Sequence, residues 1–281
     1  MISIRIIIAI LFFLAVTSLM GFYFAIRPYR IVSSLTPAAF KLPYENVTLY
    51  TKDKIKIRGW FIPNKNPSAK TIILLHGYPA DKGNILPSRL FLHQNFNLLF
   101  IDFRYFGESS GNYSSIGIFE INDLKAAIDY LHSRGIDSVG VWGFSLGGSV
   151  AIMAAAKMPA IKAIVAESAY ANLYQMAESY YRIPFVNYPL AALTRLWGLL
   201  FLREDIKKVS PEESMKNLHI PILILHSRHD NVISFEYATL LEKASHHNKK
   251  VEIYFTDDLL HGEPVKNYQK LVEDFFNKNI K

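Results

Sequence analysis

The chain contains no cysteine among its 281 residues. That excludes disulfides, thiolate nucleophiles and cysteine-held metals, and it leaves the redox compartment open. Also missing are a Pro/Gly/Ser-rich linker, a charge block, an internal repeat and any low-complexity tract, so nothing divides the soluble part into two domains. Basic residues outnumber acidic ones by 31 to 24, for a net charge of +7. They form no Lys/Arg stripe of the kind nucleic-acid binding needs, and the excess reads as solubility or a mild attraction to anionic lipid. Hydrophobic residues make up 51% of the chain, enough to bury a large core.

In one stretch charge is absent altogether. Residues 6–26 run for 21 positions without a charged side chain. A helix of that length, at ~1.5 Å per residue, crosses a hydrocarbon core of ~30 Å. A cleaved signal peptide would show a shorter apolar centre and a small-x-small site. Here the run ends in Phe22-Tyr23-Phe24-Ala25-Ile26, whose aromatic character suits a membrane interface instead. Residues 1–30 are therefore expected to be a single-pass membrane anchor, with a signal sequence as the alternative, and residues 31–281 one catalytic domain. Arg27 and Arg30 outweigh Arg5 and favour a cytoplasmic domain, whereas the short tail before the apolar run resembles a signal-anchor. The catalytic domain is expected on the extracytoplasmic side.

Downstream, residues 47–50 and 55–62 read as strands around the turn Thr51-Lys52-Asp53-Lys54, an antiparallel hairpin. The pattern then changes to short continuous apolar runs at residues 71–75, 98–101, 139–142, 161–166, 222–225 and 251–255. Such runs suit strands buried on both faces of a parallel sheet. Between them, Ile121, Leu124, Ile128 and Leu131 repeat at helical spacing, as do Val265, Tyr268, Leu271, Val272, Phe275 and Phe276. The expected fold is a mostly parallel, doubly wound α/β sheet opened by a hairpin, whose active groups gather at the carboxyl ends of the strands. Residues 172–205 break the alternation with an aromatic-rich insertion, read as a helical lid with an apolar inner face.

The pattern G-x-S-x-G occurs twice. Gly143-Phe144-Ser145-Leu146-Gly147 lies between an apolar strand and the alanine-rich stretch 148–157, which is the context of a nucleophile elbow. Gly107-Glu108-Ser109-Ser110-Gly111 follows its strand by five residues and leads into Asn112-Tyr113-Ser114-Ser115, a turn-like run. Ser145 is therefore taken as the nucleophile and Ser109 as a polar loop residue.

A serine hydroxyl needs a base, and the base needs an orienting carboxylate. In this topology they follow in the order Ser, acid, His. Asp230 lies in the loop after residues 222–225 and His261 in the loop after 251–255, so Ser145, Asp230 and His261 are the expected triad. Asp230 could instead cap a helix starting near Phe235, with Glu167 as substitute acid. Asp257 and Asp258 read as loop residues. His226, His229, His246 and His247 show no third-ligand spacing, so no metal is expected. The oxyanion hole is assigned to the backbone amides of Leu146 and Tyr78, with Gly77 freeing the backbone and His76 supporting the loop.

These residues resemble the α/β-hydrolases, in particular the membrane-anchored branch similar to monoglyceride lipases and serine aminopeptidases. The resemblance runs from about Val47 onward, through His76-Gly77, Asp102-Phe103-Arg104, Gly107-Glu108-Ser109, Gly143 to Gly148, Pro221 to His226 with Asp230, and His261. It implies hydrolysis of an ester, thioester or amide without a cofactor. Two positions depart from it: Ser227 and Tyr105 stand where glycine is usual. The expected function is a serine hydrolase acting on a small apolar acyl ester at the bilayer, with no nucleic-acid partner. The rivals are a serine peptidase of the same fold, which would want an acidic cluster where only Glu178 and Glu204 occur, and a catalytically silent binding module. Dehalogenases and epoxide hydrolases resemble this fold with aspartate at the elbow, where this chain has serine.

Overall fold

A computed structural model describes residues 4–257, 260–263 and 268–280. Asp258 and Val265, which figure in the loop and helix readings above, lie outside the described residues.

Among the described residues eight strands form one sheet in the order β1-β2-β4-β3-β5-β6-β7-β8. Strands β1 (Glu45–Tyr50) and β2 (Lys56–Ile62) make the expected hairpin, with Tyr50 opposite Lys56. β2 also runs antiparallel to β4 (Asn97–Ile101). From β4 onward the neighbours β3 (Thr71–Leu75), β5 (Val139–Phe144), β6 (Ile161–Glu167), β7 (Ile222–Ser227) and β8 (Val251–Thr256) are all parallel. β3, β4 and β7 are buried at every position, which is why they appear in the sequence as unbroken apolar runs.

The chain connects β3 to β4 on one side and then returns across β3 to β5 on the other. The loops after β3 and β5 thus diverge at the switch point of the sheet, where open α/β sheets bind ligands. Helices α2 (Lys82–Arg89), α3 (Glu120–Ser133), α4 (Leu146–Ala155), α7 (Pro211–Met215), α8 (Phe235–Ala244) and α9 (Tyr268–Asn279) complete this body. Alternate strand residues Ile72, Leu74, Leu98, Phe100, Val165, Leu223 and Leu225 share one core with Ile85 and Leu86 of α2 and Val272, Phe275 and Phe276 of α9. A strand's period of two turns the intervening Ile73, Leu99, Val141 and Ile164, also fully buried, to the opposite face.

Residues Tyr29–Ala171 and Pro211–Lys281 make up that body; a second unit combines the N-terminal helix with Asn172–Ser210. The helix is α1 (Ile4–Ile26), long and apolar enough to cross a membrane. The insertion folds into α5 (Leu173–Tyr180), capped by the Asn172 side chain on the amides of Tyr174 and Gln175, and α6 (Asn187–Trp197). A single π-turn follows α6 at Gly198–Leu202. The ends of the insertion are clipped together where the Leu173 N–H donates to the Val209 carbonyl at 3.0 Å.

Candidate active site

The elbow is built by close approach. At Gly143 a Cβ would lie 2.1 Å from the Gly147 carbonyl, and at Gly147 it would lie 2.6 Å from the Leu75 carbonyl oxygen. No side chain fits either gap, so strand β5 can turn into helix α4 within one residue. That residue is Ser145, held at φ +53° and ψ −114°, a conformation a non-glycine residue keeps only where its surroundings enforce it. Its amide donates to the Glu167 carbonyl at 2.7 Å, which pins the turn to β6. Leu146 follows as the first residue of α4, at the end of the helix where the dipole favours negative charge.

The loop after β3 packs directly on this turn. A Cβ at Gly77 would lie 3.2 Å from the Ser145 Cβ and 2.8 Å from the Phe144 ring, so the backbone leading into Tyr78 runs beside the serine. His76 orders this loop from beneath. It is fully buried, its Nδ1 meets the Gly77 carbonyl at 2.7 Å, and its Nε2 accepts the Phe103 N–H at 3.0 Å. With one nitrogen donating and the other accepting, the ring is neutral, and burial pushes its pKa below the ordinary value.

Asp230 and His261, 31 residues apart, meet. His261 Nδ1 stands 2.7 Å from Asp230 Oδ2, while Asp230 Oδ1 accepts the N–H groups of Val232 and Ile233 at 2.9 and 2.8 Å. Burial opposes ionisation of this carboxyl, yet the hydrogen bonds from His261 and Ile233 outweigh it and hold the pKa below the usual carboxylate value. An ionised Asp230 makes Nδ1 the protonated nitrogen of His261 and leaves Nε2 as an acceptor. The His261 ring lies against Phe144, the residue before Ser145, with ring centroids 4.8 Å apart and the planes tilted by 37°. Behind Asp230, His226 donates from Nε2 to the Ile233 carbonyl at 2.9 Å and is kept neutral by its burial.

The competing assignments go elsewhere. The helix near Phe235 is capped by Ser234, whose Oγ accepts the Glu236 N–H, and Asp230 has no part in that cap. Glu167 is bound by Arg89 at 2.6 Å and by the Trp142 indole at 2.9 Å, with the Arg89 guanidinium lying 3.7 Å above the Trp142 ring. Ser109 is fully buried; its Oγ donates to the Asp102 carbonyl at 2.7 Å and accepts the Arg58 N–H at 2.9 Å. Asp257 pairs with Arg228 at 2.7 Å. Tyr105 adopts φ +72°, which accounts for glycine being usual there, and its N–H is tied to the Ser110 carbonyl at 2.8 Å.

The sheet order, the elbow at the switch point and the strand-end loops define an α/β-hydrolase. The esterase Pf2001 of Pyrococcus furiosus has this architecture: it is 27% identical with a TM-score of 0.75, over 90% of this chain and 98% of that one. A family model described as X-Pro dipeptidyl-peptidase (S15 family) matches residues 26–194, more than half of the chain. The chain belongs to that family, and its activity is that of a hydrolase. Among its relatives, the uncharacterized protein YfhR of Salmonella typhi is 30% identical over 250 residues, covering 82% of this chain and 77% of that protein. The protein bem46 of Schizosaccharomyces pombe is 28% identical over 207 residues, covering 70% and 64%. The family match includes Ser145 and ends before Asp230 and His261.

Proposed function

We propose that the chain is a membrane-anchored serine esterase that cleaves apolar acyl esters through an acyl-enzyme intermediate. The observation carrying this reading is the Asp230–His261 hydrogen bond of 2.7 Å, set beside the residue that precedes the elbow serine. Ser145 Oγ attacks the substrate carbonyl while His261 Nε2 takes its proton. Asp230 holds the imidazole in the tautomer that can accept, and it stabilises the imidazolium that forms. The oxyanion is held by the amides of Leu146 and Tyr78, two donors worth about 3 kcal/mol each in sites of this kind. His261 then protonates the leaving alcohol, and a water activated by the same nitrogen releases the acid. No cofactor or metal enters these steps.

The esterase fold neighbour supports ester over amide substrates, and the aromatic insertion with its apolar helix supports a lipid-like acyl group. In this reading the domain belongs with the monoglyceride-lipase-like hydrolases, α1 anchors it, and residues 172–205 act as the lid. The peptidase alternative draws on the family description, and turnover of X-Pro amides at ester rates would favour it.

Fluorophosphonate labelling of wild type, Ser145→Ala and Ser109→Ala tests the chemistry. Labelling lost in Ser145→Ala alone is the expected result. Folded wild type that takes no label overturns the serine-hydrolase mechanism and brings the silent binding module forward.

A further inference from the structure

The N-terminal helix is not independent of the insertion. Over residues 4–13 the side chains of α1 are exposed on every side. In its second half one stripe, Ser18, Phe22 and Ile26, is buried. The Trp197 indole donates to Ser18 Oγ at 3.0 Å, and the Tyr181 hydroxyl reaches the Ser18 carbonyl and Thr194. Phe22 stacks on Phe201 at 6.1 Å, and a Cβ at Gly21 would lie 3.0 Å from the Tyr181 hydroxyl. A side chain at position 21 would make the Tyr181 ring give way by a few tenths of an ångström.

These contacts fix a depth. Ser18 lies eight residues before Ile26, where the apolar run ends, and Arg27 follows. At ~1.5 Å per residue that is about 12 Å inside the run, almost half of a ~30 Å hydrocarbon core. If α1 spans a bilayer, Trp197, Tyr181 and Phe201 lie within the leaflet nearer the domain. Several exposed apolar side chains of the insertion suit that medium. Ile183, Phe185, Leu199, Leu200 and Phe201 are all exposed, Phe185 to 87%. Arg195, an ion that lipid would not tolerate alone, is paired with Asp205 through two hydrogen bonds of 2.7 and 2.8 Å. Basic residues outnumber acidic ones in Asn172–Ser210 by five to three, and aromatic and basic side chains together are the composition of a membrane interface.

We infer that the insertion is a bilayer-embedded element: α5, α6 and the π-turn sink into one leaflet of a phospholipid membrane around the second half of α1. The occupant of its exposed apolar face is lipid. This rests on the anchor part of the proposed function and is independent of the chemistry at Ser145.

The absence of cysteine makes the test clean. Single cysteines replace Leu200, Phe185, Phe12 and Tyr50 in the full chain, carry an environment-sensitive fluorophore, and are reconstituted in vesicles of phosphatidylcholine with a minority of phosphatidylglycerol. Phe12 reports on the exposed half of α1 and Tyr50, on β1, on the body. The expected result is blue-shifted emission and loss of intensity to a lipid-chain nitroxide at Leu200→Cys, Phe185→Cys and Phe12→Cys, with neither at Tyr50→Cys. Aqueous emission at Leu200 and Phe185 with a lipid signal at Phe12 overturns the embedded insertion and leaves the anchor standing. Aqueous emission at Phe12 as well overturns both. A lipid signal at all four positions, Tyr50 included, overturns the inference too, since the whole body would then be adsorbed without selectivity.

Discussion

Two loops of this chain carry the same five-residue pattern and have opposite fates. At 143–147 the glycines close a strand-to-helix turn, and the serine between them is held at positive φ beside the loop after β3. At 107–111 the serine hydroxyl is spent as mortar, bridging the Asp102 carbonyl to the Arg58 amide and so tying β4 to β2. Motif and composition do not separate them. What separates them is the element that follows: a helix that begins at the next residue in one case, a turn in the other. A nucleophile is a position in a fold before it is a residue type.

The sharpest way to break this contrast is to disable the first site without touching the serine. Asp230→Asn keeps the acceptor oxygen for Val232 and Ile233 but turns an N–H toward His261 Nδ1. The imidazole must then present its other tautomer, with the proton on Nε2, and cannot relieve Ser145 of its own. In triads of this type the loss is about 10⁴-fold in kcat, some 5–6 kcal/mol of transition-state stabilisation, with KM little changed. Steady-state kinetics on p-nitrophenyl esters would read it. A loss under tenfold would mean that Asp230 is not the orienting acid, despite its contact with His261.

The second loop predicts the opposite split. Ser109→Ala leaves a buried N–H of Arg58 and the Asp102 carbonyl without their partner. Its expected cost is about 1–3 kcal/mol of stability, with ester turnover retained by the molecules that remain folded. Ser145→Ala should show the reverse, activity gone and the denaturation midpoint nearly unmoved or raised, since a strained turn is relieved of nothing it needs. Urea titrations of the two variants side by side decide it; a stable, inactive Ser109→Ala would dissolve the distinction between the loops.

Much of this was readable from sequence because the relevant signals are local. Fully buried strands leave unbroken apolar runs, and the run at residues 71–75 coincides with β3 to the residue. The expected Ser-Asp-His order rests on strand-end loops that periodicity can find, and Asp230 and His261 meet in the structure. Helix ends were harder: α4 starts at Leu146 rather than Gly148, because the tight elbow lets the helix begin immediately after Ser145. Long-range pairing was invisible. Arg89 and Glu167 are 78 positions apart, and Ser18 and Trp197 are 179 apart, separations at which no pattern in the chain marks one residue as the partner of another. The one hint was negative: Tyr105, standing where glycine is usual, sits at φ +72° and reports that its neighbourhood imposes that conformation.

The smallest effect expected comes from the residue that joins the two loops. His76 supports Gly77 beside Ser145 with one nitrogen and, with the other, Phe103 at the start of the Ser109 loop. Burial depresses its pKa below the ordinary 6.5, against the opposing pull of Asp102 and Asp81 and with Lys82 adding to the depression. The folded chain therefore refuses a proton that the unfolded chain accepts. Stability from this group is complete above about pH 6.5 and falls as pH drops below it, by up to about 1.4 kcal/mol per pH unit. His226, depressed for the same reason, adds a parallel slope. Asp230 works in a lower window: its pKa lies below the ordinary 3.8, so its contribution is present above that value and disappears under stronger acid. Between pH 6.5 and 5 the two histidines push stability up with pH, while Asp123, its pKa pushed up to about 7 by burial, pulls the other way. His76→Asn, which keeps a donor for the Gly77 carbonyl, should lower stability at pH 7 while removing about half of the slope that the two histidines share. Equilibrium denaturation across that range measures it. An unchanged slope would show that His76 titrates alike in both states, and the neutral bridge between the loops would have to be abandoned.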